Sequence, residues 1–273
     1  VAAGSGGAVM GKIDPVIEIR NIHKSFGGFV AVDDFSLRVD PGEIVALLGR
    51  TGAGKSTVLN LVMGTIGPDQ GTIRVAGFDP HAQFRELKGR IAVSFQTDRL
   101  LPWRTAVENA ELGLLILGVP KAEARTRALA WLERVNLKGA QDKYVHELSG
   151  GMRQRVSLAR ALAVDPAIVF LDESFSQLDH ATAGKLRRDF HRIAKEFGKT
   201  CLFVTHRIED AIEIADRAIV LNPGARIVLA EEITPELRAD PARVRACHAR
   251  IAEAMGGEGE ADDEESLAPL PAG

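Results

Sequence analysis

Residues 49–56 read GRTGAGKS, the pattern G-x-x-x-x-G-K-[ST]. Its glycines let the backbone wrap closely around an anion, so that successive N–H groups converge on phosphate. Lys55 reaches the outer phosphates as a point charge, and Ser56 offers a hydroxyl to Mg2+. We read Gly49, Arg50, Thr51, Gly52, Ala53, Gly54, Lys55, Ser56 and Thr57 as the phosphate-binding segment of an ATP site. A second group lies in AIVFLDE, where an apolar run ends on Asp172 and Glu173. A buried strand delivers both carboxylates at its C-terminal edge, where ligands bind in open α/β sheets. Asp172 is the natural Mg2+ partner, and Glu173 is placed to polarise an attacking water. Gln96 closes RIAVSFQ and His206 closes CLFVTH. His206 would face the terminal phosphate, and Gln96 would touch Mg2+ or the water. On chemistry alone, each is equally well explained as an ordinary strand end.

A further anion site sits far downstream, in LSGGMRQR at residues 148–155. Ser149, Gly150 and Gly151 precede a helical run, and free N–H groups and the helix dipole both favour an anion at such an end. The chain between it and Lys55 includes a long helical stretch, which holds this segment away from its own phosphate loop. Such a site makes sense when it closes over the nucleotide of a second copy. Two chains would then sandwich two ATP molecules, with the terminal phosphate as glue and hydrolysis as release.

These groups need a scaffold of alternating strands and helices. IEIRNIHKSF and FSLRV read as strands with VAVDD between them, and EIVALLG as a buried strand. STVLNLVMGTI reads as a helix, then TIRVAG and RIAVSFQ as strands. AVENAELGLLILG and AEARTRALAWLERVN have helical periodicity and few β-branched residues. AIVFLDE, TCLFVTH, RAIVLN and RIVLAE return as strands, with helices in HATAGKLRRDFHRIAKEF and IEDAIEIAD. This alternation predicts an α/β fold with a mostly parallel sheet. PELRADPARVRACHARIAEAM adds a last helix or two.

The chain has 273 residues, 45% hydrophobic and 26% charged, enough for a large core in one or two domains. Its net charge of −3 gives no electrostatic footprint for nucleic acid. Two cysteines make neither a disulfide framework nor a metal site, and Cys201 reads as a buried thiol. The sequence has no apolar run long enough to span a bilayer. We read residues 1–15 as a flexible leader and 256–273 as an acidic disordered tail.

Taken together and in this order, GRTGAGKS, Gln96, LSGGMRQR, AIVFLDE, SQLD and His206 resemble the ATP-binding subunits of ABC transporters. The resemblance covers roughly residues 16–235. It implies a P-loop NTPase (RecA-like) core, an antiparallel β subdomain and an inserted α-helical subdomain at about 97–160. The ATPase domain would span 16–240, followed by a C-terminal helix at 241–255. The resemblance also implies ATP and Mg2+ as cofactors, a head-to-tail homodimer, and work at the cytoplasmic face of the inner membrane with an integral membrane permease. A solute-binding protein would be an indirect partner.

By the same resemblance Phe26 stacks on adenine, and Gln96 joins the core to the helical subdomain. Ser149, Gly150 and Gly151 bind the opposite terminal phosphate, and Asp179 lies in the D-loop. Glu173 is the catalytic carboxylate and His206 the switch histidine. The chain departs from the family at Ser174, usually Pro, at Gln177, more often Ala, and at Arg207, usually acidic; Arg50 occupies a variable position. These leave rate and coupling open. LLPWRTAVENAELGL, with Trp103, is similar to importers of nitrate, sulfonates and taurine. The alternative is a non-transport ABC ATPase acting with soluble partners.

Overall fold

The computed structural model describes residues 14–176 and 178–256. Most of the leader, most of the acidic tail and Gln177 lie outside the described residues. A six-stranded sheet forms the centre, in the order β5 (Ile91–Ser94), β6 (Ile168–Asp172), β7 (Thr200–Thr205), β3 (Ile44–Leu48), β8 (Arg217–Asn222), β9 (Arg226–Glu232). All its pairings are parallel except β8 with β9. β3 and β7 are buried at every position, which is why β3, and β7 between its terminal threonines, are continuously apolar rather than alternating.

Period-two geometry divides β3 between two cores. Val45 and Leu47 point to one side, where they meet α1 (Lys55–Val62) and a second sheet. That sheet is antiparallel, in the order β2 (Phe29–Val39), β1 (Ile17–Phe26), β4 (Gln70–Val75). Ile44, Ala46 and Leu48 point to the other side. There they join a core that includes residues of α5 (Gly150–Ala163), α6 (His180–Glu196), α7 (Ile208–Ile214) and α9 (Pro241–Ala254). α8 (Pro235–Ala239) connects β9 to α9.

The helical insertion holds α2 (Ala106–Ala110), α3 (Leu112–Ile116) and α4 (Lys121–Arg134), packed against α5. A capping box opens α2: Thr105 accepts from the Glu108 N–H while Glu108 accepts from the Thr105 N–H. The insertion is tied to the core by a buried guanidinium, Arg155 on α5, which donates to Asp189 on α6 at 2.6 Å. Trp131 on α4 lies 5.2 Å from Phe197 between ring centroids.

Several element boundaries differ from the sequence reading. VAVDD does not separate two strands but runs inside β2, which keeps pairing with β1 through register shifts around a left-handed Asp34. The helix after the phosphate loop ends at Val62 instead of running through MGTI. AVENAELGLLILG is broken at Glu111 into α2 and α3. Strands β5 and β7 stop at Ser94 and Thr205, so Gln96 and His206 lie just past the sheet rather than at its last positions. Among the described residues no helix is long and apolar enough to cross a membrane.

Candidate active site

Parallel pairing brings the C-terminal ends of β3, β6 and β7 side by side: Leu48 is opposite Thr205, and Val204 opposite Asp172. The phosphate loop follows β3, the carboxylates end β6, and His206 follows β7. Adjacent strand ends therefore carry Lys55, Asp172, Glu173 and His206 to one edge, although they are distant in sequence.

The loop leaves β3 at Gly49, whose φ is 153°; a Cβ there would come within 2.4 Å of the Leu221 carbonyl oxygen. It closes at Gly54, left-handed at φ 92°, directly before α1. The Lys55 ammonium is buried and donates to the Gly49 and Arg50 carbonyls at 2.7 and 2.9 Å. Burial pushes its pKa down, and the charge of Glu173 pulls it back up, which places the two groups in one electrostatic field. Ser56 is exposed, Thr57 half-buried, and Thr51 and Gly52 open to solvent. Ala53 is buried beneath the loop, its carbonyl accepting from the Ala225 N–H at 3.1 Å. Arg50 turns outward and donates to the Gly256 carbonyl at the end of α9, 2.8 Å away.

Asp172 is half-buried. Burial first, and then the neighbouring charge of Glu173, push its carboxyl upward. Glu173 has φ 45°, a left-handed conformation that costs a non-glycine residue about 1–2 kcal/mol. Neighbours hold it there. Its N–H donates to the Val204 carbonyl at 3.1 Å, and its carbonyl accepts from the Ser176 hydroxyl at 2.8 Å. Glu173 Oε1 lies 3.4 Å from His206 Nδ1. Gln96 is exposed and its Nε2 sits 3.5 Å from Ser176 Oγ, which joins it to the turn that carries Glu173.

The LSGG segment sits elsewhere. Ser149 caps α5, its hydroxyl accepting from the Met152 N–H at 3.3 Å. A Cβ on Gly151 would approach Thr182 Cγ2 to 2.6 Å, so the segment lies against the start of α6. Among the described residues no hydrogen bond or ion pair joins 149–151 to 49–57. Ser149 and Gly150 are exposed, and Gly151 is half-buried. α5 is instead bound to the loop containing Gln96. Arg153 meets Asp98 at 3.0 Å, Gln154 donates to the Phe95 carbonyl at 3.2 Å, and Arg160 donates to the carbonyls of Asp98 and Arg99 at 2.7 Å each.

A phosphate loop, a strand-end carboxylate pair and a separate anion segment on one chain match a known family. A profile described as ABC transporter covers residues 32–176. The chain belongs to the ABC transporter family. It is 39% identical over 209 residues to the taurine import ATP-binding protein TauB of Yersinia pestis, covering 77% of this chain and 80% of that one. Against the sulfate/thiosulfate import ATP-binding protein CysA of Thermosynechococcus vestitus it is 43% identical, covering 76% of this chain and 62% of that protein. Among solved structures, a dimeric ATP-binding cassette bound to ADP and Pi aligns with a TM-score of 0.71 and 30% identity, over 80% of this chain and 99% of that one.

Within this ABC cassette, Asp179 caps α6, accepting from the Thr182 N–H at 3.0 Å; the Thr182 hydroxyl first, and then this N–H, hold its carboxyl below the usual range. Phe26 is half exposed at the tip of the β1–β2 hairpin, opposite Phe29. Sequence reasoning missed Phe29, which is exposed beside it. It also missed the use of Ser174 in place of the family's proline. The Ser174 hydroxyl is buried and donates to the Ser94 carbonyl at 2.9 Å, linking the end of β5 to the turn after Glu173. Ser176, the partner of Gln96, belongs to the same missed set. Its one signal was the hydroxyl-rich run SFS directly after the carboxylates.

Proposed function

We propose that this ABC protein is the ATP-hydrolysing subunit of an importer for a small solute of the sulfonate, taurine or sulfate type. The observation that carries the reading is the convergence of Lys55, Glu173 and His206 at three neighbouring strand ends. Backbone N–H groups of 49–57 bind the phosphates, and Lys55 leaves its two carbonyl partners to meet them. Glu173, held in its left-handed conformation, accepts the proton of the attacking water. His206 lies against the Glu173 carboxylate and keeps it oriented. Phe26 stacks on the adenine ring.

The residues suit Mg2+: Asp172, destabilised as an anion by burial and by Glu173, gains from a cation, and Ser56 and Gln96 add neutral oxygens. When bound, the ion neutralises phosphate charge. Ser149, Gly150 and Gly151 serve the nucleotide of a second chain, arranged head to tail, with Asp179 beside the joint. The dimeric cassette holding ADP and Pi supports this arrangement. An integral permease at the cytoplasmic face of the inner membrane docks on the groove of about 490 Å³ lined by Met63, Phe84, Leu87, Val93, Phe95 and Arg99. Phe84 is 57% exposed there, and Trp103 is 70% exposed farther along the same segment. The solute assignment rests on the relatives' names and on LLPWR, since the fold itself hosts many functions.

The test is a gentle detergent pull-down of the tagged chain from its own cells. A multi-span permease in about equal amount supports the reading. Recovery of soluble partners alone overturns it in favour of a non-transport ATPase.

A further inference from the structure

Beneath His206 lies a buried polar chain that the proposed chemistry does not use. Arg187 on α6 is fully buried. It donates to Asp210 Oδ1 at 2.8 Å and to both oxygens of Glu213 at 2.9 and 3.1 Å, all on α7. The second oxygen of Asp210 accepts from the Thr205 hydroxyl at 2.7 Å. That hydroxyl in turn accepts from the Arg207 N–H at 3.0 Å. A single buried side chain thus spans the residue on each side of His206, in the turn that serine and threonine form over two residues. Burial pushes the Asp210 carboxyl up, against the Thr205 hydroxyl and the Arg187 charge that favour its ionised form.

A buried ion pair of this kind is a weak source of stability, since well-packed apolar residues often do as well. What it supplies is fixed geometry. Here the geometry ends at the backbone that carries His206, whose Nδ1 stands 3.4 Å from Glu173. The same helix α6 begins at Asp179 and touches Gly151 through Thr182.

We propose that Thr205, Asp210 and Arg187 are positioning residues for hydrolysis: they lock the turn that aims His206 at Glu173, and so tie the active histidine to helix α6. The inference rests on the proposed ATPase reading of the site. Steady-state ATP hydrolysis by the full chain tests it, with thermal unfolding to confirm that each variant is folded. Thr205→Val keeps the shape and removes the hydroxyl. It should lower kcat about 10- to 100-fold, as expected for a misaligned group, with KM for ATP within about twofold. Thr205→Ser should restore kcat. In a His206→Ala background Thr205→Val should cause no further loss, because its effect passes through the imidazole.

A Thr205→Val enzyme with parental kcat overturns the proposal. So does a loss of equal size in the His206→Ala background, or failure of Ser to rescue. Glu173→Gln assayed alongside separates the two claims: if it turns over ATP normally, the assignment of Glu173 as the base falls and this inference with it. If Glu173→Gln is inactive while Thr205→Val is normal, only the positioning role falls.

Discussion

Gly54→Ala tests how the phosphate loop is built. A Cβ at this position would lie 2.5 Å from the Ala31 carbonyl oxygen in β2 and 3.1 Å from Ala225 Cβ. The left-handed φ of 92° adds a second penalty. The dihedral costs about 1–2 kcal/mol for alanine, and forcing a methyl against fixed backbone about 1–3 kcal/mol. Together they remove about 2–5 kcal/mol, a large part of a typical stability of about 5–15 kcal/mol. For a chain of this size that lowers Tm by roughly 5–15 °C. The chain can relieve the clash only by moving Gly54 away from β2, which drags Lys55 and Ser56 with it. ATP affinity should therefore fall at least about tenfold. Gly52→Ala is the internal control: its φ is 85°, but a Cβ there meets nothing within 4 Å. It should lose only the dihedral part, about 1–2 kcal/mol. Thermal unfolding and equilibrium binding of a fluorescent ATP analogue measure both effects. Equal Tm shifts in the two variants, or parental ATP affinity in Gly54→Ala, would refute the argument that the β2 contact shapes the loop.

Ser149→Arg should leave ATP binding intact but abolish ATP-dependent dimerisation, seen by light scattering. Its own stability cost is the lost helix cap, about 1 kcal/mol; normal dimerisation would remove the second-chain role of LSGG. Asp172→Asn should abolish turnover yet raise Tm at neutral pH. The sign follows from the raised carboxyl: a protonated Asp172 favours the fold, and that contribution is complete below about pH 3.9, the unfolded value. It is lost as pH rises through the higher folded value, so the gain from asparagine should vanish in acid and be full at pH 7. A Tm difference that stays constant with pH would contradict it.

Much of the candidate site was legible in the sequence because its residue types are concentrated in short runs. GRTGAGKS, LDE and LSGG each carry both the proposed reacting groups and the backbone that presents them, and burial on both faces made β3, β6 and β7 readable as largely apolar runs. What escaped depends on pairings between distant segments. The end of β5 is set by its partner β6, whose last opposed pair is Ser94 with Leu171, so Gln96 falls beyond the sheet. VAVDD reads as a connection because two acidic residues interrupt it, yet β1 pairs along it. Ser174 and Ser176 look like filler until the fold sets them against Ser94 and Gln96. Nothing in HATAGKLRRDFHRIAKEF marks Arg187 as buried; only the tertiary fold supplies the Asp210 and Glu213 carboxylates that allow its burial.

The central claim is that Glu173 is the base of an ATPase whose sites close between two chains. The most direct measurement is ATP turnover and oligomeric state of Glu173→Gln with ATP and Mg2+. The amide still accepts from His206 but cannot take the proton of water. Turnover should fall at least about 100-fold, while ATP remains bound and the protein runs as a stable dimer. Hydrolysis at the parental rate would contradict the assignment.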